Sequence, residues 1–215
     1  MSSRFIVTID RVAYSSKPRK RDIGAITRRM QASGPVEVTP EELADAIANG
    51  HTWCGGCFEP SPSKWGDFIG QRITALDFDN DVVVLGADGK PLKDAEGHNV
   101  KRDLQPGEEG YLYHWDALAR WREVFDADPL LMYPSFSYEQ VADLSQPPTR
   151  CKYRIVFDLG AVVTSEQAAE AAIKKLLRLF PEADQSCKNA NRLFFGSCGK
   201  AVAFREEGVY FAKRA

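Results

Sequence analysis

No apolar run in the chain approaches the ~20 residues needed to cross a bilayer, and residues 1–20 lack the apolar core of a signal peptide. A cytoplasmic protein with no membrane partner is therefore expected. Cysteine is scarce: there are five in 215 residues, an odd number that excludes a disulfide framework as the basis of the fold. No sign of charge dominates either. A net charge of −2 argues against a protein that coats nucleic acid nonspecifically, yet leaves room for an enzyme with a local basic groove. Internal repeats and low-complexity tracts are absent. What is present, 44% hydrophobic and 27% charged residues, is an ordinary globular composition. The length suits one large domain or two small lobes sharing an interface.

Charge is nonetheless uneven. Lys17, Arg19, Lys20, Arg21, Arg28 and Arg29 crowd the N-terminal part, whereas Glu37 to Asp45 and Glu108–Glu109 are acidic. The basic run fits either a solvated face or a contact to a nucleic-acid template.

The order of elements follows from patterning. Arg4 to Asp10 predicts a first strand, followed by a basic loop containing Ser and Pro. Thr39 as N-cap and Pro40 at the first helical position open a helix that Gly50 ends. Residues 51–70, rich in Trp, Gly and Pro, predict an irregular lead-in to a strand at Ile73–Phe78. Turn signals break up Asp81–Gly110 into a surface hairpin or excursion. Leu118, Trp121 and Phe125 place a helix over Asp116–Phe125. Two strands, Leu130–Phe136 and Tyr153–Leu159, flank a polar loop at Glu139–Lys152. Thr164 and Gln167 form a capping box for a helix over Thr164–Phe180 whose Ala168, Ala172, Leu176 and Leu179 share a face. Strands at Arg192–Gly196 and Val209–Ala212 close the chain. From residue 73 the order is strand, hairpin, helix, strand, strand, helix, strand. It suits an α+β sheet of the RNA-recognition type.

The chemistry concentrates in Arg72-Ile-Thr-Ala-Leu-Asp-Phe-Asp-Asn80. On a strand, residues two apart face the same way, so Asp77 and Asp79 project together with Phe78 buried behind them. Adjacent like charges repel, and such a pair commonly holds a cation; oxygen ligands favour a hard ion, Mg²⁺ or Mn²⁺. A strand end whose aspartates cap a turn is the structural alternative. Three later segments bear on the pair. Met132-Tyr-Pro-Ser-Phe-Ser-Tyr138 runs into hydroxyl side chains. Lys152-Tyr-Arg-Ile-Val-Phe157 puts Lys152 and Arg154 on one strand face. Ala183-Asp-Gln-Ser-Cys-Lys-Asn-Ala-Asn-Arg-Leu-Phe-Phe-Gly196 holds an isolated Asp184 ahead of Arg192. A third carboxylate and several cations are what a metal-assisted triphosphate site requires.

In order, these segments resemble the primase-polymerase family of the archaeo-eukaryotic primase superfamily, in the form found in phage and plasmid replication proteins. The resemblance rests on Leu76-Asp-Phe-Asp-Asn80, the Ser137 element, Arg154-Ile-Val-Phe157, Asp184 and Arg192-Leu-Phe-Phe-Gly196, and covers residues 73–196. It implies one catalytic domain over 1–215, with an N-terminal α/β lobe over 1–70 and an RNA-recognition-like catalytic lobe over 71–215. It further implies a DNA primase or polymerase that makes primers from nucleoside triphosphates on single-stranded DNA, in the bacterial host cytoplasm if phage- or plasmid-encoded. A helicase domain, in the same polypeptide or in the replisome, is a further implied partner. Two metal ions about 3.5–4 Å apart would sit among Asp77, Asp79 and Asp184, with no organic cofactor and no covalent nucleophile. Ser135, Ser137, Tyr138, Lys152, Arg154 and Arg192 would hold the nucleotide, and the N-terminal basic cluster the template. One departure stands out: the family often has His after the serine, and here Tyr138 follows Ser137. A phenol can donate one hydrogen bond to phosphate but carries no positive charge near neutral pH.

Two other functions fit some of the same residues. A phosphohydrolase of the haloacid dehalogenase type also has Asp-x-Asp after an apolar strand, with Asp77 as nucleophile, but its motif normally opens a parallel-sheet domain. A catalytically silent nucleic-acid-binding module is the other. Cys54-Gly-Gly-Cys57 supplies only two of the four ligands zinc needs, so a tight turn with buried thiols is the expectation. His98 is expected in a loop, His114 at a packed helix start and Trp121 in the core, with Trp53 and Trp65 open to base stacking.

Overall fold

The structure is a computed structural model that describes residues 4–139, 148, 150–197, 199–205 and 208–212. The chain is mixed α+β, and its strands pair antiparallel in three sheets. In the first sheet β1 (Phe5–Ala13) lies between β2 (Val36–Val38) and β3 (His51–Cys54). Helices α1 (Lys20–Ser33) and α2 (Pro40–Ala48) belong to the same half of the chain. The start of α2 is as expected: Thr39 Oγ1 accepts from the Glu42 N–H (3.2 Å), and the Glu42 carboxylate accepts from the Thr39 N–H (2.7 Å). Gly50 follows at φ +89°, where a Cβ would collide with the Tyr14 carbonyl.

The larger sheet has the order β11-β10-β8-β9-β5-β4, with β4 (Gly56–Phe58), β5 (Phe68–Phe78), β8 (Leu131–Pro134), β9 (Tyr153–Val163), β10 (Val202–Arg205) and β11 (Gly208–Phe211). Between β5 and β8 come the hairpin strands β6 (Asp81–Val83) and β7 (Lys101–Asp103), then α3 (His114–Phe125). Helix α4 (Glu166–Leu179) follows β9 and packs on both β5 and β9, while β1 also packs on β5. Covered in this way, β5 reads as a continuous buried run rather than an alternating one, and Ile73, Leu76 and Phe78 are fully buried. Each such side chain contributes about 1.5–3 kcal/mol on leaving water. One apolar core runs through both sheets, from Val7 and Leu43 to Phe78 and Phe157. β4 and the first residues of β5 precede residue 71 and belong to the larger sheet. None of the described helices is long and apolar enough to cross a membrane.

Four local expectations need correction. The basic loop after β1 is largely the helix α1, which buries Ile26 and Met30 one turn apart; its sparse apolar face is hidden among charged residues. The lead-in at 51–70 contains β3 and β4. The Gly-Gly pair lets them approach β5 so closely that a Cβ on Gly55 would strike the Ile73 carbonyl. The N-cap of α4 is Ser165, whose Oγ accepts from the Ala168 N–H (3.4 Å), not Thr164. Its buried face is accordingly Ala169, Ile173, Leu176 and Leu177. Finally, Arg192–Gly196 forms no strand; Phe194 makes a single bridge to Trp53, and the closing strands are β10 and β11. Most of the expected loop at Glu139–Lys152 lies outside the described residues.

Candidate active site

The end of β5 places the carboxylates. Phe78 turns inward and stacks on Tyr153 at a centroid separation of 4.8 Å, leaving Asp77 and Asp79 to face a cavity of about 410 Å³. Asn80 then takes a left-handed backbone at φ 45° and ties down the strand end. Its Nδ2 donates to the carbonyls of Leu112 (3.0 Å) and Cys151 (2.8 Å), and its Oδ1 accepts from the Leu112 N–H (2.9 Å). This supporting role was not visible in the sequence; the only signal is that Asn tolerates positive φ better than most residues.

The β5–β9 register sets Asp77 opposite Arg154. Arg154 Nη2 donates to Asp77 Oδ2 (3.0 Å), and Nη1 donates to the Phe195 carbonyl (2.8 Å). Both residues are buried, at 7% and 6% exposure. Burial alone would disfavour the guanidinium, but the Asp77 charge outweighs it and raises the Arg154 pKa. Asp79 titrates above the usual aspartate range, first because it is desolvated and then because of the Asp77 charge; Lys152 and Arg154 offset this only in part.

Ser135, Ser137 and Arg192 line the same cavity, and exposed Lys17 reaches its rim. Ser135 Oγ also accepts from the Ser137 N–H (3.2 Å), which fixes the turn carrying both hydroxyls. Asp184 comes beside Asp77 through its main chain: its N–H donates to the Asp77 carbonyl (2.7 Å). The Asp184 carboxylate is otherwise engaged. It accepts from the Ser186 N–H (2.9 Å), Ser186 Oγ (2.6 Å) and Arg192 Nη2 (3.1 Å). Burial would raise its pKa, but the Ser186 bonds and Arg192 hold it below the ordinary value.

Lys152 lies just before β9, two residues from Arg154, and does not line the cavity. Its Nζ lies 2.9 Å from Asp81, 3.2 Å from Asp103 and 4.0 Å from Asp79. Asp81 and Asp103 are directly opposed in the β6–β7 ladder, an arrangement of like charges that is unfavourable without a cation between them. Lys152 supplies that cation. Tyr138 also lies away from the cavity lining. It packs on the core, and burial, followed by Cys151 and Tyr113, pushes its pKa up to about 12.

The basic cluster divides. Arg29 forks onto the fully buried Asp10, with Nε–Oδ1 at 2.7 Å and Nη2–Oδ2 at 2.6 Å, and so anchors α1 to β1. Arg19, Lys20, Arg21 and Arg28 are exposed, and Arg21 and Arg28, seven apart, share a face of α1. Cys54 and Cys57 are buried thiols whose pKa values burial raises to about 12, and Cys54 Sγ donates to the Ala190 carbonyl (3.3 Å). Trp53 is fully buried, its Nε1 donating to Tyr133 Oη (3.0 Å), and Trp65 packs on Phe58. Trp53 is therefore not free to stack on a base, whereas Trp65 is only partly buried. Trp121 is a core residue, and burial lowers the His114 pKa to about 4.

No family model, curated protein or solved structure matches this chain.

The residues themselves can be asked whether they suit a metal. One buried oxygen of Asp77, Oδ1, has no hydrogen-bond partner among the described residues. An acceptor left bare in this way, beside a second carboxylate that resists ionisation, fits a divalent cation. Asp184 is adjacent but not assembled with the pair. Among the described residues, the three side chains whose ligand atoms all fall within 4.8 Å of one another are Asp94, Glu96 and His98, on the exposed hairpin. Sequence patterning also missed Ser186, Asn189 and Asn191, polar residues of the turn after α4 that line the cavity.

Proposed function

We propose that the chain is a template-dependent nucleotidyltransferase of the primase-polymerase type, which joins nucleoside triphosphates into primers on single-stranded DNA. One observation carries this: Asp77 and Asp79 open onto the same cavity as Ser135, Ser137, Arg154 and Arg192. Metal-binding carboxylates thus face hydroxyl and guanidinium groups suited to phosphate oxygens across a space large enough for a nucleotide. Asp77 and Asp79 would hold Mg²⁺ or Mn²⁺, with Asp184 as a third ligand. Bound there, the ions would supply activation of a 3′-hydroxyl and neutralisation of the pyrophosphate leaving group.

The chain's own residues do the positioning. Arg154 fixes the orientation of Asp77 and leaves the buried Oδ1 without a hydrogen-bond partner. Ser135 and Ser137 can donate to phosphate oxygens, and Arg192 can add a charge-assisted pair. Lys17 at the rim, with Arg21 and Arg28 on the outer face of α1, would meet the template backbone.

At the level of fold, the order β5–β9–β8 with α3 and α4 as connections supports an RNA-recognition-like catalytic sheet. It departs from that pattern at both edges: β4, from earlier in the chain, pairs with β5, and β10, the strand after α4, pairs with β8 and not with β5. Both neighbours of β5 are antiparallel, which disfavours the phosphohydrolase alternative and its parallel sheet. The test is incubation with single-stranded DNA, labelled nucleotides and Mn²⁺ or Mg²⁺, followed by a denaturing gel. Template-dependent extension that Asp79→Asn abolishes is the expected result. Phosphate release without extension would favour the phosphohydrolase.

A further inference from the structure

We propose that Arg192 and Ser186 form an anion-released latch on Asp184, so that a polyphosphate entering the cavity frees this carboxylate for the metal. The inference rests on the reading of the cavity as a nucleotide and metal site, and concerns how that site assembles.

Three contacts hold the Asp184 carboxylate in its present position: the Ser186 N–H (2.9 Å), Ser186 Oγ (2.6 Å) and Arg192 Nη2 (3.1 Å). Arg192 Nη1 also donates to Ser186 Oγ (2.9 Å), closing a three-residue ring. Ser186 and Arg192 line the cavity, whereas Asp184 does not. The main chain, by contrast, is already in place. The Asp184 N–H is bonded to the Asp77 carbonyl at 2.7 Å, and the turn is closed by the Cys187 N–H on the Asp184 carbonyl at 3.0 Å. The Asp184 backbone is thus already fixed beside Asp77, so the proposed release moves the side chain and leaves these main-chain bonds intact.

A guanidinium prefers a phosphate that it can grip with two parallel N–H bonds, and a partly exposed arginine is free to change partner. The Arg192 side chain is 31% exposed and touches Asp184 through one nitrogen only. When it turns to a polyphosphate, Asp184 loses its cationic partner, and its charge becomes available to a divalent ion next to Asp77 and Asp79. Anion and metal then favour each other's binding, and the coupling is the same in both directions. Without nucleotide, the latch holds the metal site one ligand short.

The test is Mn²⁺ binding to the full chain by calorimetry, with no nucleotide present. Arg192→Gln opens the latch and should tighten Mn²⁺ binding by at least about 5-fold, the lower end of ordinary coupling between sites. In an Asp184→Asn background the same change should give no gain. Ser186→Ala, which keeps the arginine, should give a smaller gain with the same dependence on Asp184, and it carries the test if Arg192→Gln does not fold. Unchanged affinity in both variants, or an equal gain with and without Asp184, would overturn the latch. The second outcome would reduce Arg192 to a nearby positive charge. Asp79→Asn, which leaves the buried Asp77–Arg154 pair intact, separates the two levels: if it weakens Mn²⁺ binding while the latch variants do nothing, only the latch fails. If it has no effect, the metal site itself is refuted and the latch with it.

Discussion

Arg154 Nη2 lies 3.0 Å from Asp77 Oδ2 at a matched position of the β5–β9 ladder, with both side chains buried. Sequence patterning makes Asp77 one of two equivalent surface carboxylates, but the structure makes it half of an internal ion pair. Breaking such a pair from one side strands a buried charge and typically costs 3–5 kcal/mol, whereas neutralising both sides costs much less. Arg154→Met should therefore destabilise the protein by about 3–5 kcal/mol in urea unfolding, and Asp77→Asn combined with Arg154→Met by less than the single change. A single variant as stable as the wild type would mean that the pair contributes nothing to the fold.

Asp79 should behave differently. Its folded pKa lies above the unfolded value, so folding penalises its charged form. Below about pH 4 the residue is protonated in both states and there is no penalty; the penalty grows as pH rises through the folded pKa and is complete above it. Asp79→Asn should thus melt higher than the wild type at neutral pH in EDTA, with the gap closing toward low pH. Added Mn²⁺ should reverse the order, because a ligand stabilises only the chain that binds it. Melts that coincide at every pH and metal concentration would remove Asp79 from the site.

A third expectation concerns Lys152. Burial would raise the pKa values of Asp81 and Asp103, but hydrogen bonds from Lys152, joined by Lys101 and Arg150, hold both below the ordinary value. The stabilisation is therefore present above the unfolded pKa and is lost as pH falls through the depressed folded values. Lys152→Met should cost about 1.5–3 kcal/mol at neutral pH and progressively less below about pH 4. Amide exchange in β6 and β7 should quicken. Were Lys152 a phosphate ligand instead, the variant would lose nucleotide affinity and leave the hairpin protected.

Much of the scaffold was legible because its causes are local. Thr39, Pro40 and Glu42 form a cap within four residues, and Ile73 to Phe78 is a run that only a covered strand would hold. The reach of Asp77 and Asp79 into one space followed from a period of two. What escaped detection depends on distant partners. Helix α1 is secured by Ile26 and Met30 packing near Cys54, and by Arg29 on Asp10, contacts that its charged composition conceals. The glycines at 55 and 56 answer to the backbone of Ile73 and Ala190; the sequence showed a tight turn with buried thiols but not the two strands it joins. Phe194 is apolar and extended, yet it makes one bridge to Trp53 rather than a ladder. Asp184 could be singled out by its isolation, but not its engagement with Ser186 and Arg192, because side-chain partners two and eight residues away in a turn leave no periodic trace.

Tyr138 decides whether the Ser137-Tyr138 element substitutes for the Ser-His of the family it resembles. If it did, its phenol would face the cavity beside Ser137, and Tyr138→Ala would weaken nucleotide binding. In the structure Ser135 and Ser137 line the cavity and Tyr138 does not; it packs on the core, close enough to Cys151 and Tyr113 for both to raise its pKa. Its main-chain N–H closes the turn by donating to the Ser135 carbonyl (3.1 Å), a contact that any non-proline residue can make. Tyr138→Ala should therefore leave nucleotide affinity within about 2-fold of wild type, since no neutral hydrogen bond worth ~0.5–1.5 kcal/mol is lost at the ligand. It should instead lower stability by about 1–3 kcal/mol through lost packing. Fluorescence titration with a nucleotide and urea unfolding of the same variant separate the two roles. A loss of affinity with stability intact would restore Tyr138 to the triphosphate; the expected opposite leaves the phosphates to the two serines, Arg154 and Arg192.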